Sequence, residues 1–204
     1  MFLFWMFLQA KGEILPRYSD ELEERTLHKI SLHLQNEDYE QARKLLDEYL
    51  YKIEDSQVLL YDVALMFNKA GQTQEALSLY VQLLTKNEAH RAALYDRAEL
   101  FLEREDYQKA KSDLIKALSI EEHWILYLRL AEIAAIEKDV FLCEMNLMRA
   151  LKSGMQPEEL LNFGKKWYTW SHDPDLGLAI KNVLLLDAGA GGFQIWKRLQ
   201  QPLQ

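Results

Sequence analysis

The chain of 204 residues is long enough for one sizeable domain or one elongated repeat array. With 49% hydrophobic and 27% charged residues it is globular rather than disordered, and only 8 glycines and 4 prolines argue against an all-β fold. The formal net charge of −8 argues against a nucleic-acid partner and disfavours docking on anionic lipid through a basic surface. One cysteine, Cys143, excludes an internal disulfide and a zinc site built from cysteines.

The first predicted segment in chain order is the apolar stretch MFLFWMFL, which is followed by Gln9 and Ala10. It is too short to cross a bilayer as a helix, which needs about 20 apolar residues. Its length fits the apolar core of a signal peptide with Ala10 at a cleavage site, but the positively charged leader is missing. Three interpretations of residues 1–20 therefore stay open: a truncated signal, a short interfacial anchor, or an apolar peg packed on the fold or on a partner.

The predicted cellular compartment depends on this segment. We expect a cytoplasmic protein, or an exported or membrane-associated one if residues 1–10 are a truncated signal or an anchor. Any membrane association is expected only through this segment, and the oligomeric state is left open.

A similar sequence motif recurs along the rest of the chain. It reads QNEDYEQARKLLDEYL at 35–50, NKAGQTQEALSLYVQLL at 68–84 and LEREDYQKAKSDLIKAL at 102–118. A small residue returns every 33 or 34 positions, and a larger apolar residue follows four positions later on the same helix face. The position of the small residue is taken by Ala42, Ala76, Ala110, Cys143 and Leu176, and the larger residue is Leu46, Tyr80, Leu114, Leu147 or Ile180.

A second motif precedes each copy of the first. It has large residues at i, i+3 and i+7 and mostly a small residue at i+4, a spacing that predicts another helix. Its copies begin at Leu27, Leu60, Leu94, Tyr127 and Leu160. Each unit is therefore predicted to be two short helices, in units near 24–56, 57–90, 91–123, 124–156 and 157–187. Ser56 and Asp173 suit helix N-caps, and Gly71 suits a C-cap.

These units resemble the tetratricopeptide repeat family, whose repeat is a 34-residue helix-turn-helix with W-x2-L-G-x2-Y, then A-x3-F, then P. Bulky Leu176, charged Arg97 and the missing closing proline depart from that pattern. The resemblance implies an all-α fold, a right-handed α-solenoid of about five helix-turn-helix repeats. Within it, each pair buries its apolar stripe against its neighbours.

The last stretch, at 188–204, is predicted to be a glycine-rich break and a short helix. DAGAGG at 187–192 interrupts the array that spans 21–187, and FQIWKRLQ follows with Phe193, Trp196 and Leu199 at i, i+3 and i+6. A helix that caps the fifth unit is the preferred interpretation, because an uncapped terminal repeat exposes apolar surface. A mobile arm that docks on a partner is the alternative.

The sequence contains no local pattern that predicts catalysis. The five histidines form no H-E-x-x-H motif, and neither a phosphate-binding loop nor a nucleophile elbow is present. Cys143 occupies a packing position, which favours a buried, inert thiol. We expect a non-enzyme with no catalytic residues, no cofactor and no metal.

The resemblance also implies where a partner binds, because in that family the first helix of each pair lines a concave groove. The groove residues it implies are Tyr61, Leu65, Asn68, Lys69, Tyr95, Glu99, Leu102, Glu103, Leu128, Glu132 and Ile136, with His28, Leu32, Gln35, Val58 and Ala135 beside them. Their chemistry is apolar and acidic, so the expected ligand is a protein or peptide with apolar anchors and basic residues between them.

The predicted function is a non-enzymatic protein-interaction module that holds a peptide or helix of a partner and so assembles or holds a complex. Two alternatives share the fold. One is a small dedicated chaperone that resembles the tetratricopeptide-type chaperones of secretion systems. The other is an assembly factor located in the cell envelope.

Overall fold

The structure is a computed structural model that describes residues 21–52, 56–162, 165–187 and 189–201. The apolar N-terminal segment, with its three interpretations, lies outside the described residues. The described chain forms two compact bodies, one reaching Glu88 and one starting at Ala89.

Twelve helices lie within the described residues. The N-terminal body contains α1 (Glu21–Gln35), α2 (Tyr39–Lys52), α3 (Gln57–Lys69) and α4 (Thr73–Lys86). The C-terminal body contains α5 (Arg91–Glu103), α6 (Tyr107–Ile120), α7 (Trp124–Ile136), α8 (Val140–Lys152), α9 (Glu159–Asn162), α10 (Lys165–Ser171), α11 (Pro174–Asp187) and α12 (Gly189–Leu199). Successive helices pack in pairs: α1 with α2, α3 with α4, α5 with α6, and α7 with α8.

The repeated small residue of each second helix lies where helices come closest. Ala42, Ala76, Ala110 and Cys143 are all completely buried. The larger residue four positions later is buried too, so each second helix contributes a continuous apolar stripe to the core. A small side chain inside that stripe lets a neighbouring backbone approach without a steric clash.

One turn geometry closes the first helix of each of the first four repeats. A single residue there has a positive φ near 60° to 76°, and the next residue donates its N–H to the carbonyl five positions back. The positive-φ residues are Glu37, Gly71, Glu105 and Lys138. Gly71 adopts this conformation without a steric penalty, and in the other three repeats a charged residue takes the same position.

The residue after this turn also starts the next helix. Asp106 Oδ1 accepts the N–H of Lys109 at 3.4 Å, and Asp139 Oδ1 accepts that of Leu142 at 3.0 Å. The recurring aspartate therefore ends one helix through its backbone and caps the next through its side chain. The predicted caps at Ser56 and Asp173 are confirmed, since each side chain accepts a backbone N–H of the helix that follows.

Arg97 explains why repeat 3 tolerates a charge in an apolar pattern. Its guanidinium makes two hydrogen bonds of 2.7 Å to Asp113 on α6, and Asp113 is buried. The ion pair therefore joins the two helices of one repeat.

In repeat 5, bulky Leu176 takes the position of the small residue, and the close contact between helices lies at the next residue, Gly177. A Cβ on Gly177 would lie 2.4 Å from the backbone oxygen of Ser171, so α11 can pass the end of α10 only with glycine there. The first-helix pattern of this repeat is divided between α9 and α10, and Phe163 and Gly164 lie outside the described residues.

The C-terminal helix begins earlier than the sequence indicates. Instead of starting after the glycines, α12 includes Gly189, Gly191 and Gly192 in its first turn, where few N–H groups have an intrahelical partner and glycine costs little. Ile195 and Leu199 are buried, and α12 packs on α10 and α11, so the capping interpretation of this helix is confirmed. The all-α fold of helix-turn-helix repeats is confirmed with it.

Candidate partner-binding site

In the N-terminal body, the first helices α1 and α3 pack against each other. The buried Ser56 hydroxyl donates to Glu23, which joins the start of α3 to the start of α1. Both side chains are buried, so this polar contact fixes how the two helices lie without leaving an unsatisfied group.

The predicted residues on α1 and α3 are accessible. Leu32 is 45% exposed and Val58 is 40% exposed, and Tyr61 and Leu65 are half-buried. We call these four residues the N-terminal binding surface. Asn68 is half-buried and Lys69 is exposed at the end of α3, one turn beyond Leu65. The spacing of 58, 61 and 65 places three of the four residues on one face of α3.

In the C-terminal body, the equivalent helices α5 and α7 are joined by charge. Arg129 Nε and Nη2 each donate to a carboxylate oxygen of Glu99 at 2.7 Å, and Nη1 donates to Glu132 at 2.9 Å. Trp167 on α10 donates its indole N–H to the other oxygen of Glu132 at 3.3 Å. We call Glu99, Arg129, Glu132 and Trp167 the charge network.

The charge network holds two carboxylates and one guanidinium. Burial raises the pKa of Glu99 above its ordinary value, and the neighbouring Glu132 acts in the same direction, against Arg129. Burial opposes the charge of Arg129, yet Glu99 and Glu132 together hold its pKa above the ordinary value. Burial, and then the charge of Glu99, also raises the pKa of Tyr95. Pairing with Arg129 therefore offsets the burial of Glu99 only in part.

The predicted residues of the C-terminal body divide into accessible and buried ones. Leu102, Ile136 and Glu99 are half-buried, and Glu103 is exposed. The buried ones are Tyr95, Leu128, Glu132 and Ala135. We therefore leave these four out of the proposed surface, because a side chain that exposes less than a tenth of its area offers little to a partner in this conformation.

Two members of the charge network, Arg129 and Trp167, are absent from the set that the sequence predicts. A signal for Arg129 is visible in retrospect. The α7 sequence WILYLRLAEIAAI carries one cation and one carboxylate, Arg129 and Glu132, in an otherwise apolar helix that is buried on nearly all sides. Two charges in such a helix must be paired.

The cysteine and two of the histidines have structural positions in the described chain. Burial raises the pKa of the Cys143 thiol to about 12, so it stays protonated. His90 and His123 cap helices instead, since each Nδ1 accepts a backbone N–H at the start of α5 or α7. Among the described residues, no group of three or more His, Cys, Asp or Glu side chains could hold a metal ion. No helix in the described ranges is long and apolar enough to cross a membrane.

No family model matches the sequence, and no curated protein matches it either. Solved structures do match. YrrB, described as a TPR protein with an unusual peptide-binding site, is 18% identical with a TM-score of 0.52, over 75% of this chain and 80% of its own. A tetratricopeptide repeat protein from Parabacteroides merdae ATCC 43184 is 16% identical with a TM-score of 0.42, over 95% of this chain and 90% of its own.

At these identities a structural likeness establishes the fold and not the ligand. The helix pairs, their repeated small residues and the likeness to YrrB agree. The chain has the tetratricopeptide repeat fold, an α-solenoid of helix-turn-helix repeats.

Proposed function

We propose that this protein binds a peptide or a helix of a partner protein on its first helices and so assembles or holds a complex. The observation that carries the proposal is the accessibility of the N-terminal binding surface. Four apolar or aromatic side chains lie there on neighbouring helices, Leu32, Val58, Tyr61 and Leu65. Single exposed apolar residues are ordinary on a protein surface, but a group on two packed helices is typical of an interaction site.

The charge of the chain selects the kind of partner. The net charge of the chain is −8. A ligand with apolar anchors and lysine or arginine between them complements an acidic chain with exposed apolar side chains, with the anchors giving affinity and the charges giving orientation. The peptide-binding site described for YrrB supports a peptide as the ligand class.

The experiment is affinity capture from native extract with the wild-type chain and a Tyr61→Ala/Leu65→Ala variant, with bound proteins identified by mass spectrometry. We expect a specific set of proteins to be lost from the variant. Val81→Ala/Ile115→Ala is the matched control, because both residues are exposed apolar side chains on second helices. Helicity measured by circular dichroism confirms that each variant is folded.

If the double variant retains every partner of the wild type, the proposed surface is wrong. If the control loses the same partners as the variant, binding lies on the second helices instead. A variant set from the buried residues would be less informative, because Tyr95→Ala changes the core as well as the surface.

A further inference from the structure

The second helix of each repeat has solvent-facing positions that recur from repeat to repeat. The side chains at these positions differ in charge between the two bodies. On α2 these positions carry mainly acidic groups, and on α8 and α11 they carry apolar and basic ones. The change is visible at single positions of the repeat: Glu48 of α2 corresponds to Arg149 of α8, and Asp47 of α2 corresponds to Lys181 of α11. These positions lie on other helices than the N-terminal binding surface.

In the N-terminal body, a groove of about 980 Å³ lies against α2 and the beginning of α4. Four carboxylates line it, with two cations and the ring of Tyr51, which is 90% exposed. We call this the acidic groove; its charged residues are Glu40, Asp47, Glu48, Glu75, Arg43 and Lys44. Arg43 is held by Asp47 at 3.0 Å and by Glu75 at 3.4 Å, and the four carboxylates outnumber the two cations, so the groove is acidic.

In the C-terminal body, α8 and α11 pack side by side and expose an outer face of opposite sign. Phe141 is 71% exposed and Leu178 is 58% exposed, and exposed Leu185 lies about two turns further along α11. Three exposed cations lie among them. We call this the basic apolar face; its residues are Phe141, Arg149, Lys152, Leu178, Lys181 and Leu185. Glu144 and Asp175 lie at its margins.

We propose that the basic apolar face of one copy of this protein docks on the acidic groove of a second copy. The opposite charges orient the two surfaces, and contact of Phe141 and the leucines with exposed Tyr51 removes apolar area from water. A contact between two acidic grooves, or between two basic apolar faces, would bring like charges together, so the pairing of unlike surfaces is favoured. The two surfaces differ, so the contact is heterologous, and each copy keeps one surface for a further copy.

The test uses the full chain in sedimentation velocity and light scattering over a range of concentrations. At low salt we expect the mean mass of the wild type to rise above the monomer mass of 24.0 kDa as concentration increases. We expect it to fall back towards that value when salt screens the opposite charges.

Two charge-reversed variants make the test specific. Glu40→Lys/Glu48→Lys reverses the acidic groove and leaves the Arg43–Asp47 pair intact, and Arg149→Glu/Lys181→Glu reverses the basic apolar face. Each variant alone carries surfaces of one sign and should stay at 24.0 kDa. An equal mixture of the two should associate again, because the groove of each then meets a face of opposite charge.

A control variant, Ser112→Lys/Ser119→Lys, adds two charges to the exposed outer side of α6 and should associate like the wild type. Melting temperatures establish that all variants are folded, which matters for Arg149 because its guanidinium lies over the ring of Tyr127. The proposal is overturned if the wild type stays monomeric at every concentration at low salt. It is equally overturned if either variant alone associates as the wild type does, or if the mixture stays monomeric.

Discussion

Side chains at the same repeat positions are partly accessible in the N-terminal body and buried in the C-terminal body. Tyr61 and Leu65 on α3 of the N-terminal body are partly accessible, whereas Leu128 and Glu132, which occupy the equivalent positions on α7, are buried. The α7 helix is apolar around nearly its whole circumference, and Trp167 from α10 packs against it and bonds Glu132. Residues at the same repeat positions are therefore accessible in one body and buried in the other, depending on what packs against the helix.

This contrast shows that a repeat position does not by itself define a binding residue. The first helices of the N-terminal body leave apolar side chains accessible, whereas α7 of the C-terminal body buries the residues at the equivalent positions. The following changes test the contrast through the free energy of unfolding, from the largest expected effect to the smallest.

Arg129→Met should destabilise the C-terminal body by about 3–5 kcal/mol, because it leaves the buried carboxylate of Glu132 and the half-buried carboxylate of Glu99 without their cation. Urea denaturation measures the total loss, and labelling of buried Cys143 with a thiol reagent reports the opening of this body in particular. The control, Arg25→Met, breaks an exposed pair with Glu21 on α1 and should cost no more than about 0.5 kcal/mol. An Arg129→Met loss as small as that of the control would mean that the charge network does not stabilise the fold.

Leu128→Ala should cost about 2–5 kcal/mol, because it opens a cavity in the core. Leu65→Ala removes a side chain of the same type, but a partly exposed one, and should cost about 1 kcal/mol or less. Denaturant unfolding of both variants compares the two bodies directly. Equal losses would contradict the assignment of one residue to a surface and the other to the core.

Lowering the pH below about 6.5 should weaken the start of α5 by about 1 kcal/mol, because neutral His90 accepts the N–H of Ala93 at 3.1 Å. Burial lowers the pKa of His90 in the folded state, so the unfolded chain takes up a proton at a higher pH. The stability from this cap is therefore present above the unfolded pKa and is lost as the pH falls below it.

Melting temperatures of the wild type and His90→Asn between pH 7.5 and 5.5 test this cap, since asparagine caps a helix without titrating. The wild type should lose more stability than the variant over this range. His28→Asn, at an exposed position on α1, is the control and should follow the wild type. Parallel pH curves for the wild type and His90→Asn would refute the role of this histidine.

Lys138→Gly should raise the free energy of unfolding by about 0.5 kcal/mol, because a residue with φ of 58° is strained unless it is glycine. The reverse change at the equivalent turn of the N-terminal body, Gly71→Lys, should lower it by about 1 kcal/mol. Thermal unfolding measures both. The same sign of change in the two variants would show that the turn is not the origin of the effect.

Much of the fold follows from local patterns in the sequence. The positions of Ala42, Ala76, Ala110 and Cys143, all completely buried, follow from a repeat of 33 or 34 residues and the period of the helix. The cap at Ser56 follows from residue type and position alone. A helix face and a helix cap each depend on residues only a few positions apart, so both can be recognised in the sequence.

The structural context of the candidate site is less predictable, because it depends on residues far apart in the chain. Arg129 reaches Glu99 across 30 positions and Trp167 reaches Glu132 across 35, and no local pattern pairs them. The replacement of a small residue at Leu176 by Gly177 likewise depends on where the end of α10 lies.

The sequence by itself determined the helix pairs, their register and the acidic character of the chain. Only the tertiary structure decided which positions of that register are accessible and which form a buried charge network. The physical reason is that helical periodicity is set by neighbouring residues, whereas the exposure of a side chain is set by whichever helix packs over it.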